Sequence, residues 1–231
     1  MGASGLERPV LAVDVVIFSL SDAQLQILLT ERDREPFRGA ASLPGTAVRI
    51  DESLEDAARR SLQQKAFRSQ QISREVFMEQ LAVFDGLYRD PRGRTVSVAF
   101  MGMVQDKPDV KEGSLWKNVK ETADNSLPFD HNLILSTALQ RLQGKLRYSN
   151  IAKGFLPETF RIDELETVYE TILEYPVNRS NFRNKLLKIG MIEQVKVLNE
   201  AVGKKGGRPP HLYRFTGDLL EMSGRDFLGP A

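Results

Sequence analysis

The residues of this chain best suited to phosphate or metal chemistry lie between Leu43 and Phe67, in the segment LPGTAVRIDESLEDAARRSLQQKAF. A Leu-Pro-Gly step leads into a stretch that carries the acids Asp51, Glu52, Glu55 and Asp56. Carboxylates are the ligands that a hard cation such as Mg²⁺ requires, and bound Mg²⁺ activates diphosphates for hydrolysis. Metal-dependent diphosphate chemistry is therefore the first activity to weigh for this segment.

The helix predicted after these acids carries the wrong side chains for that chemistry. Ser61, Gln64 and Lys65 are three and four residues apart, so on a regular helix they share one face. That face offers a hydroxyl, a neutral amide and an ammonium, none of which supplies an anionic oxygen. The acids themselves precede the helix or lie in its first turn, where they also suit the helix dipole. We therefore predict no bound metal and no catalytic residue in this segment.

The segment nevertheless resembles the signature of the Nudix pyrophosphohydrolases in its spacing. In that signature a glycine, five spacer residues and a glutamate precede a helix that carries Arg-Glu, Leu and Glu-Glu and ends at a glycine. The matching positions are Glu52, Ala57, Ala58, Arg60 and Leu62. The positions that depart from the signature are Thr46, Ser61, Gln64, Lys65 and Phe67. The resemblance implies a Nudix-type site without its metal-binding glutamates. The alternative is a plain amphipathic helix with Leu54, Ala57, Ala58 and Leu62 inward.

Basic residues near this segment suit an anionic effector. The loop Glu31–Arg38 carries several arginines, and the planar guanidinium fork matches phosphate oxygens. Such a cluster at a strand end can also serve solubility alone. Lys65 can place a positive charge near a diphosphate without a metal ion, or lie in solvent where its charge suits the helix dipole. The residues predicted to line an effector pocket are Arg32, Arg38, Glu52, Arg60 and Lys65.

The elements around this segment predict an α/β sandwich over residues 1–148. Val10–Leu20 and Gln24–Thr30 are apolar and flank the turn-like SDA, which predicts a hairpin. Phe77–Phe84 is a further apolar segment, and Arg94–Val104 is a predicted strand. These strands alternate with helices, as in an α/β fold.

The end of this domain is predicted from a helix and a linker. A polar loop at Trp116 and Lys117 precedes a helix from Asn132 to about Leu142. Asp130 is predicted to cap that helix, because its carboxylate can accept from the exposed amides of the first turn. Composition then shifts in KLRYSNIAKGFLP, residues 145–157, which we interpret as the linker between two domains.

The second domain, residues 149–231, is predicted to be a winged helix-turn-helix. NFRNKLLKI is predicted to form a short basic helix that stops at Gly190, and MIEQVKVL and HLYRF to form strands on either side of the loop GKKGGRPP. The order of helix, helix, strand, basic loop and strand is that of a winged helix. The first of these helices, IDELETVYETIL, has a predicted inner face of Leu165, Val168, Tyr169, Ile172 and Leu173.

Basic residues dominate the stretch from Asn178 to Arg214, in which Glu193 and Glu200 are the only acids. Such a patch is the electrostatic footprint expected for phosphate binding. Side chains of a short helix can reach major-groove edges, and an arginine beside prolines suits a narrow minor groove. A lysine-rich loop with glycines can also be a solvated hairpin tip. The predicted DNA contacts are Arg179, Asn181, Arg183, Asn184, Lys185, Lys204, Lys205 and Arg208.

Composition narrows the classes of activity. The chain has 231 residues, of which 41% are hydrophobic and 27% charged, as expected for a soluble globular protein of two domains. It has no cysteine and two histidines, which excludes thiol chemistry and disfavours a histidine-rich metal site. No apolar run approaches the roughly 20 residues of a membrane span, and MGASGLERP lacks a signal-peptide core. We therefore predict a cytoplasmic protein with no cofactor and no membrane partner.

Over nearly its whole length, the chain resembles the Nudix-related transcriptional regulators of NAD metabolism, in which a Nudix-like sensor precedes a winged helix. Beside the Leu43–Phe67 segment, the resemblance is carried by RDPRGRTVSVAF, FDHNLILSTALQRLQGKLRYS, VYETIL, NFRNKLLKIGMIE and GRPPHLYRF. It implies a homodimeric repressor that binds a palindromic operator in double-stranded DNA. The implied effector is ADP-ribose or another nucleotide or sugar.

Two other functions are compatible with these residues. The chain can be a Nudix hydrolase of ADP-ribose or another nucleoside diphosphate derivative, if Asp51, Glu52, Glu55 and Asp56 form a rearranged acid set. It can also be a ligand-independent scaffold whose Nudix-like domain serves only for dimerisation.

Overall fold

The computed structural model describes residues 8–122, 127–195, 211–218 and 226–228 of the chain. These residues divide into two compact units. The first comprises the residues up to Ser21 together with Leu25–Leu139, and the second comprises Asp22–Gln24 and the residues from Gln140 onward. Within the ranges given above, no helix combines the length and the apolar character needed to cross a membrane.

A mixed sheet of seven strands forms the centre of the first unit. The strands are β1 (Val10–Ser21), β2 (Gln24–Glu31), β3 (Ala41–Ser42), β4 (Gly45–Ala47), β5 (Phe77–Phe84), β6 (Thr95–Val104) and β7 (Ser114–Asn118). Five of them lie in the order β3-β2-β1-β6-β5, while β4 pairs with β1 and β7 pairs with β2. The strand predicted at residues 94–104 is therefore confirmed, and the apolar segment at residues 77–84 is also a strand.

Strand β1 is the centre of this sheet. It runs parallel to β6 over ten residue pairs, from Val10 opposite Thr95 to Ser19 opposite Val104, and antiparallel to β4. Asp22 and Ala23, which join β1 to β2, both have positive φ, as a tight two-residue hairpin turn requires. The predicted hairpin is confirmed. Its first strand, β1, also pairs with β4 and β6.

The helix of the Leu43–Phe67 segment packs directly on β1. Helix α1 (Leu54–Ser61) continues into one π-helical turn over Leu62–Ala66, which closes with a bond from Phe67 N to Leu62 O. The side chains of Ala57, Ala58 and Leu62 are fully buried in a cluster with Val13, Val15 and Ile17 of β1. The predicted inner face of this helix is confirmed. Helices α2 (Gln70–Glu75), α3 (Val119–Thr122) and α4 (His131–Lys145) follow.

Side chains from a distant loop close the carboxyl end of the π-helical turn. Lys111 Nζ donates to the carbonyl oxygens of Gln63 and Gln64, at 2.6 and 3.0 Å, and Lys111 N donates to Ala66 O. Ser114 Oγ donates to Lys65 O at 2.7 Å. The carbonyls that a helix end leaves without intrahelical partners are therefore bonded here by the protein itself.

The second unit has the element order of a winged helix. A 3₁₀ helix (Ile151–Phe155) is followed by β8 (Phe160–Arg161), α5 (Ile162–Leu173), α6 (Arg179–Lys188), β9 (Ile192–Val195) and β10 (Leu212–Phe215). The strands form an antiparallel sheet in the order β8-β10-β9. Gly190, with φ of 71°, follows the end of α6, as predicted for a glycine cap.

Aromatic side chains hold the helices and the small sheet of this unit together. Tyr169 of α5 meets Phe182 of α6 edge to face, with ring centroids 4.8 Å apart, and Phe160 meets Phe215 at 5.1 Å. Four residues of the predicted inner face of α5 are buried, namely Leu165, Val168, Tyr169 and Ile172. Leu173 is only partly buried.

The polar loop predicted at Trp116 and Lys117 is wrong, because these residues lie in strand β7 opposite Leu28 and Ile27 of β2. Trp116 packs against the core beside α1, and its indole N–H donates to Pro108 O at 3.1 Å. The segment carries no clear alternation in sequence, and tertiary packing decides its conformation. Part of the predicted linker is also structured, since Ile151, Ala152 and Phe155 are buried in the 3₁₀ helix.

Candidate functional site

The Leu43–Gly45 turn is held against a buried charge on β1. Leu43 N donates to His131 Nδ1 at 3.1 Å, and Val15 N donates to Pro44 O at 2.8 Å. Gly45 lies so close to Asp14 that an added Cβ would overlap the carboxylate oxygen Oδ1. The turn therefore needs glycine at this position because there is no room for a side chain.

Asp14 is the centre of a buried polar cluster. Its Oδ2 accepts from Ser97 Oγ at 2.7 Å and from Arg89 Nη2 at 3.1 Å, and its Oδ1 lies 3.5 Å from His131 Nε2. Because His131 Nδ1 accepts from Leu43 N, the geometry places the ring proton on Nε2, facing Asp14. Burial alone would raise the pKa of Asp14, but His131, Ser97 and Arg89 outweigh it and hold that pKa well below its usual range.

Asp130, the residue directly before α4, belongs to the same cluster. Its carboxylate accepts two bonds from Arg89, from Nε at 2.8 Å and from Nη2 at 2.6 Å. The Arg89 side chain is only 5% exposed, so its charge must be matched inside the protein. The cluster therefore reaches the start of α4, where Ile134 N donates to Asp130 O.

Glu52 and Arg60, both predicted to bind the effector, are bonded to each other. Arg60 Nε and Nη2 donate to the two Glu52 oxygens, at 2.9 and 2.5 Å. Arg60 also donates to Thr46 Oγ1 and Ala47 O, and Glu52 accepts from Arg49 N at 2.8 Å. The bonds from Arg60 lower the pKa of Glu52 to about 2. The pair fastens α1 to the loop that follows β4.

Ser61, Gln64 and Lys65 differ in their burial. Ser61 is fully buried and its hydroxyl has no hydrogen-bond partner among the described residues, whereas Gln64 and Lys65 are exposed. The π-helical turn begins directly after Ser61 and changes the rotation per residue.

Lys65 lies against the Leu43–Gly45 turn. Its Nζ donates to Gly45 O at 2.6 Å. Although the residue as a whole is exposed, burial of the ammonium among surrounding atoms lowers the pKa of Lys65. Asp33 and Asp14 oppose this effect, while Arg34 and Arg32 add to it. Lys65 and the arginine-bearing loop therefore lie close enough to share one electrostatic environment.

Arg32 and Arg38 lie in different surroundings. Arg32 donates from Nε to Pro36 O at 2.8 Å, and its guanidinium lies over the Phe129 ring, 4.6 Å from the centroid. Arg92 lies near the same ring, at 5.7 Å, and Phe37 meets it edge to face at 5.0 Å. Arg38 is exposed. The structure thus brings Arg32 and Lys65 into one neighbourhood.

Several residues of this region were absent from the predicted site, namely Asp14, Arg89, Arg92, Ser97, Phe129 and His131. One signal was present in the sequence, because Asp14 interrupts the apolar run VLAVDVVIF of a buried strand. A charge in such a run needs buried partners. A second signal was the pair of arginines in RDPRGR, which supplies Arg89 and Arg92. Their partners come from distant parts of the chain, so local spacing could not assign them.

In the second unit, the predicted DNA-binding residues of α6 differ in how exposed their side chains are. Phe182 and Leu186 face inward, while Asn181 and Asn184 are exposed. Asn178 caps the helix, its Oδ1 accepting from Asn181 N at 3.1 Å. Arg183 donates to Asn184 Oδ1, and both it and Lys185 are partly buried.

Arg179 is paired with an acid of α5. Its Nε donates to Glu166 Oε2 at 2.7 Å, and the Glu166 side chain is only 7% exposed. The bond joins the first turn of α6 to α5. Lys204, Lys205 and Arg208, the other predicted DNA contacts, lie outside the described residues.

The fold and the site together define a two-domain protein, a Nudix-type α/β domain followed by a winged helix. A NUDIX domain model matches residues 10–135, and a model described as the NrtR DNA-binding winged helix domain matches residues 153–215. The chain belongs to the NrtR family. The predicted family and the predicted fold class are both confirmed.

Two similar proteins, one of them in two solved structures, extend this comparison. The ADPR responsive transcriptional repressor NtrR of Acinetobacter baylyi is 32% identical over 220 residues, which is 92% of this chain and 84% of that protein. Shewanella oneidensis NrtR in complex with a 27mer DNA has a TM-score of 0.71 and 27% identity, covering 89% of this chain and 93% of that one. The NUDIX domain of the same NrtR in complex with ADP ribose has a TM-score of 0.53 and 27% identity, covering 62% and 94%.

Replacing Gly45 with alanine should destabilise the first unit. The new Cβ would overlap Asp14 Oδ1 and lie 2.8 Å from Val13 O. We expect Gly45→Ala to lower the free energy of unfolding in urea by about 1–3 kcal/mol, the usual range for overpacking. Gly144→Ala in α4 is the matched control, since its Cβ would meet nothing within 4 Å. Equal stabilities of the two variants would contradict the close approach at Asp14.

The Glu52–Arg60 pair should give a distinct acid response. The pKa of Glu52 falls from 4.5 to about 2 on folding, so its contribution to stability is complete above pH 4.5. That contribution is lost as the pH falls towards 2. We expect the difference in melting temperature between the wild type and Glu52→Gln to shrink across this window. A difference that stays constant with pH would contradict the assignment.

Proposed function

We propose that this protein is a transcriptional repressor that binds DNA through its winged helix and responds to ADP-ribose bound in its Nudix-type domain. The single observation that carries the proposal is the match of both domains, in one chain, to the NrtR family. Relatives that respond to ADP-ribose or are solved with it, and one solved with DNA, support it. A homodimer on a palindromic operator is the assembly that we propose.

The effector site that we propose lies where the Leu43–Gly45 turn, the arginine-bearing loop and the π-helical turn meet. Arg32 and Lys65 supply positive charge there, and Arg38 lies exposed on the same loop as Arg32. Phe129, with Arg32 and Arg92 beside it, offers an aromatic surface suited to a flat ring. Glu52 and Arg60 support this site by holding α1 in place rather than by contacting the effector.

We propose that the Nudix-type domain binds its ligand without hydrolysing it. The positions of the Nudix signature that carry glutamates are occupied here by Ser61, Gln64 and Lys65. Two of the acids that precede them are already bonded, since the Glu52 carboxylate accepts from Arg60 and the Asp56 carboxylate accepts from Ser53 Oγ. A closely similar relative is named as a repressor, which agrees with a regulatory rather than an enzymatic role.

The DNA interface that we propose is built on α6, with its exposed residues directed at the major groove. Asn181 and Asn184 can read base edges, while Arg183 and Lys185 suit phosphates or guanine. Arg179 contributes less than the sequence suggested, because Glu166 already neutralises it. Lys204, Lys205 and Arg208, which lie between β9 and β10 in the sequence, remain proposed contacts.

DNA binding and its control are tested by fluorescence anisotropy on fragments of the protein's own promoter region. We expect salt-dependent binding, and a change of about 5- to 150-fold in affinity when ADP-ribose is added. Arg183→Ala or Lys185→Ala should weaken binding, and each lost phosphate contact should reduce the salt slope by about 1. Arg161→Ala, at an exposed pair with Asp163 in the same unit, is the control. Absence of binding at low salt would overturn the proposal.

The absence of turnover has its own test. Incubation of the protein with ADP-ribose and Mg²⁺, followed by a phosphatase, should release no more phosphate than a sample without protein. An active ADP-ribose pyrophosphatase assayed in parallel shows that the assay works. Release above background that Glu52→Gln abolishes would favour the hydrolase instead.

A further inference from the structure

In the Nudix-type domain, the carboxylates near the Leu43–Gly45 turn are already bonded to the protein itself. Among the described residues, no three histidine, aspartate or glutamate side chains converge as a metal site. Glu52 is held by two bonds from Arg60, and Glu55 accepts from Arg59 Nη2 at 2.7 Å. Asp56 is occupied in the capping box with Ser53. A metal ion would have to break several of these bonds before it gained carboxylate ligands.

The ammonium of Lys65 lies at the Leu43–Gly45 turn, beside the proposed effector site. Lys65 Nζ is 2.6 Å from Gly45 O, the carbonyl of the turn that packs on the buried Asp14 cluster. A backbone carbonyl is also a ligand for hard cations, so the ammonium uses an oxygen that a metal ion would need. Lysine has three donors, and the bond to Gly45 takes one of them. Two N–H groups remain for an anion.

The charges around Lys65 favour an anionic ligand. Arg32 and Arg34 act on Lys65 from the loop before the turn, and the acids Asp33 and Asp14 oppose them. Asp33 is itself paired with Arg34, whose Nε lies 3.1 Å from Asp33 Oδ1. Lys65, in the π-helical turn, is exposed, while Ser61, four residues earlier in the chain, is buried.

We propose that Lys65 replaces the metal ion, so that the diphosphate of the effector is bound by the ammonium on the Gly45 carbonyl and binding needs no divalent cation. This inference rests on the proposed function, since it takes ADP-ribose as the effector. A lysine that only closed the helix end would not explain the contact with Gly45. Lys111 and Ser114 already bond the carbonyl oxygens of residues 63–66.

Calorimetric titration of the full-length protein with ADP-ribose, once in EDTA and once in Mg²⁺, tests the metal requirement. We expect the same dissociation constant in both buffers. Lys65→Gln should weaken binding by about 10- to 100-fold, the value of one charge-assisted hydrogen bond. Lys65→Arg should recover part of the loss because it keeps the charge. Lys65→Glu should weaken metal-free binding more than Lys65→Gln, because it adds repulsion.

The matched control is Lys111→Gln, which removes another ammonium bonded to backbone carbonyls of the same π-helical turn. Lys111→Gln should lower the melting temperature but leave the ADP-ribose affinity unchanged. This control distinguishes a loss of stability from a loss of effector binding. Binding that requires Mg²⁺ would overturn the inference, and so would an unchanged metal-free affinity in Lys65→Gln. If the wild type binds no ADP-ribose in either buffer, the proposed effector is wrong. Inorganic pyrophosphate then replaces ADP-ribose in the same titrations, and the same outcomes decide the role of Lys65.

Discussion

The first unit depends on one buried carboxylate, that of Asp14 in the middle of strand β1. Its two oxygens face Ser97 of β6, Arg89 of the β5–β6 connection and His131 of α4, while Gly45 packs against it without space for a side chain. A buried charge is costly unless each of its bonds is made, so these segments must come together in one arrangement. The Leu43–Gly45 turn takes its position from that arrangement, and Lys65 takes its position from the turn.

The secondary structure near the site could be predicted from sequence because periodicity and β-branched runs are local signals. Strands β1, β2 and β6, helices α4 to α6 and the inward face of α1 all follow from them. The site itself could not be completed in this way. Arg89 and Asp14 are 75 residues apart in the sequence. Phe129 and Arg32, which are in contact, are also far apart in the sequence. The π-helical turn escaped prediction because LQQKA has no residue that distinguishes it from an ordinary helix.

Counting basic residues overstated the charge that either unit can offer to a phosphate. Arg60, Arg89 and Arg179 each pair with a glutamate or aspartate of the protein, and in each case the acid is nearly buried. Such pairs fix helices to their neighbours and leave little charge for a ligand. The distribution of formal charge therefore indicates where a phosphate-binding surface can lie. The hydrogen bonds within the protein decide which basic residues of that surface are left to bind a phosphate.

The parallel pairing of β1 with β6 bears on how the chain reaches its fold during synthesis. Asp14 and its partner Ser97 are separated by 83 residues, so β1 leaves the ribosome long before the strand beside it exists. Contacts between such distant segments form slowly, because a long loop must close first. Until then an apolar strand edge and an uncompensated carboxylate are exposed together. The β1 edge that β6 covers therefore stays unpaired until the residues of β6 have been synthesised.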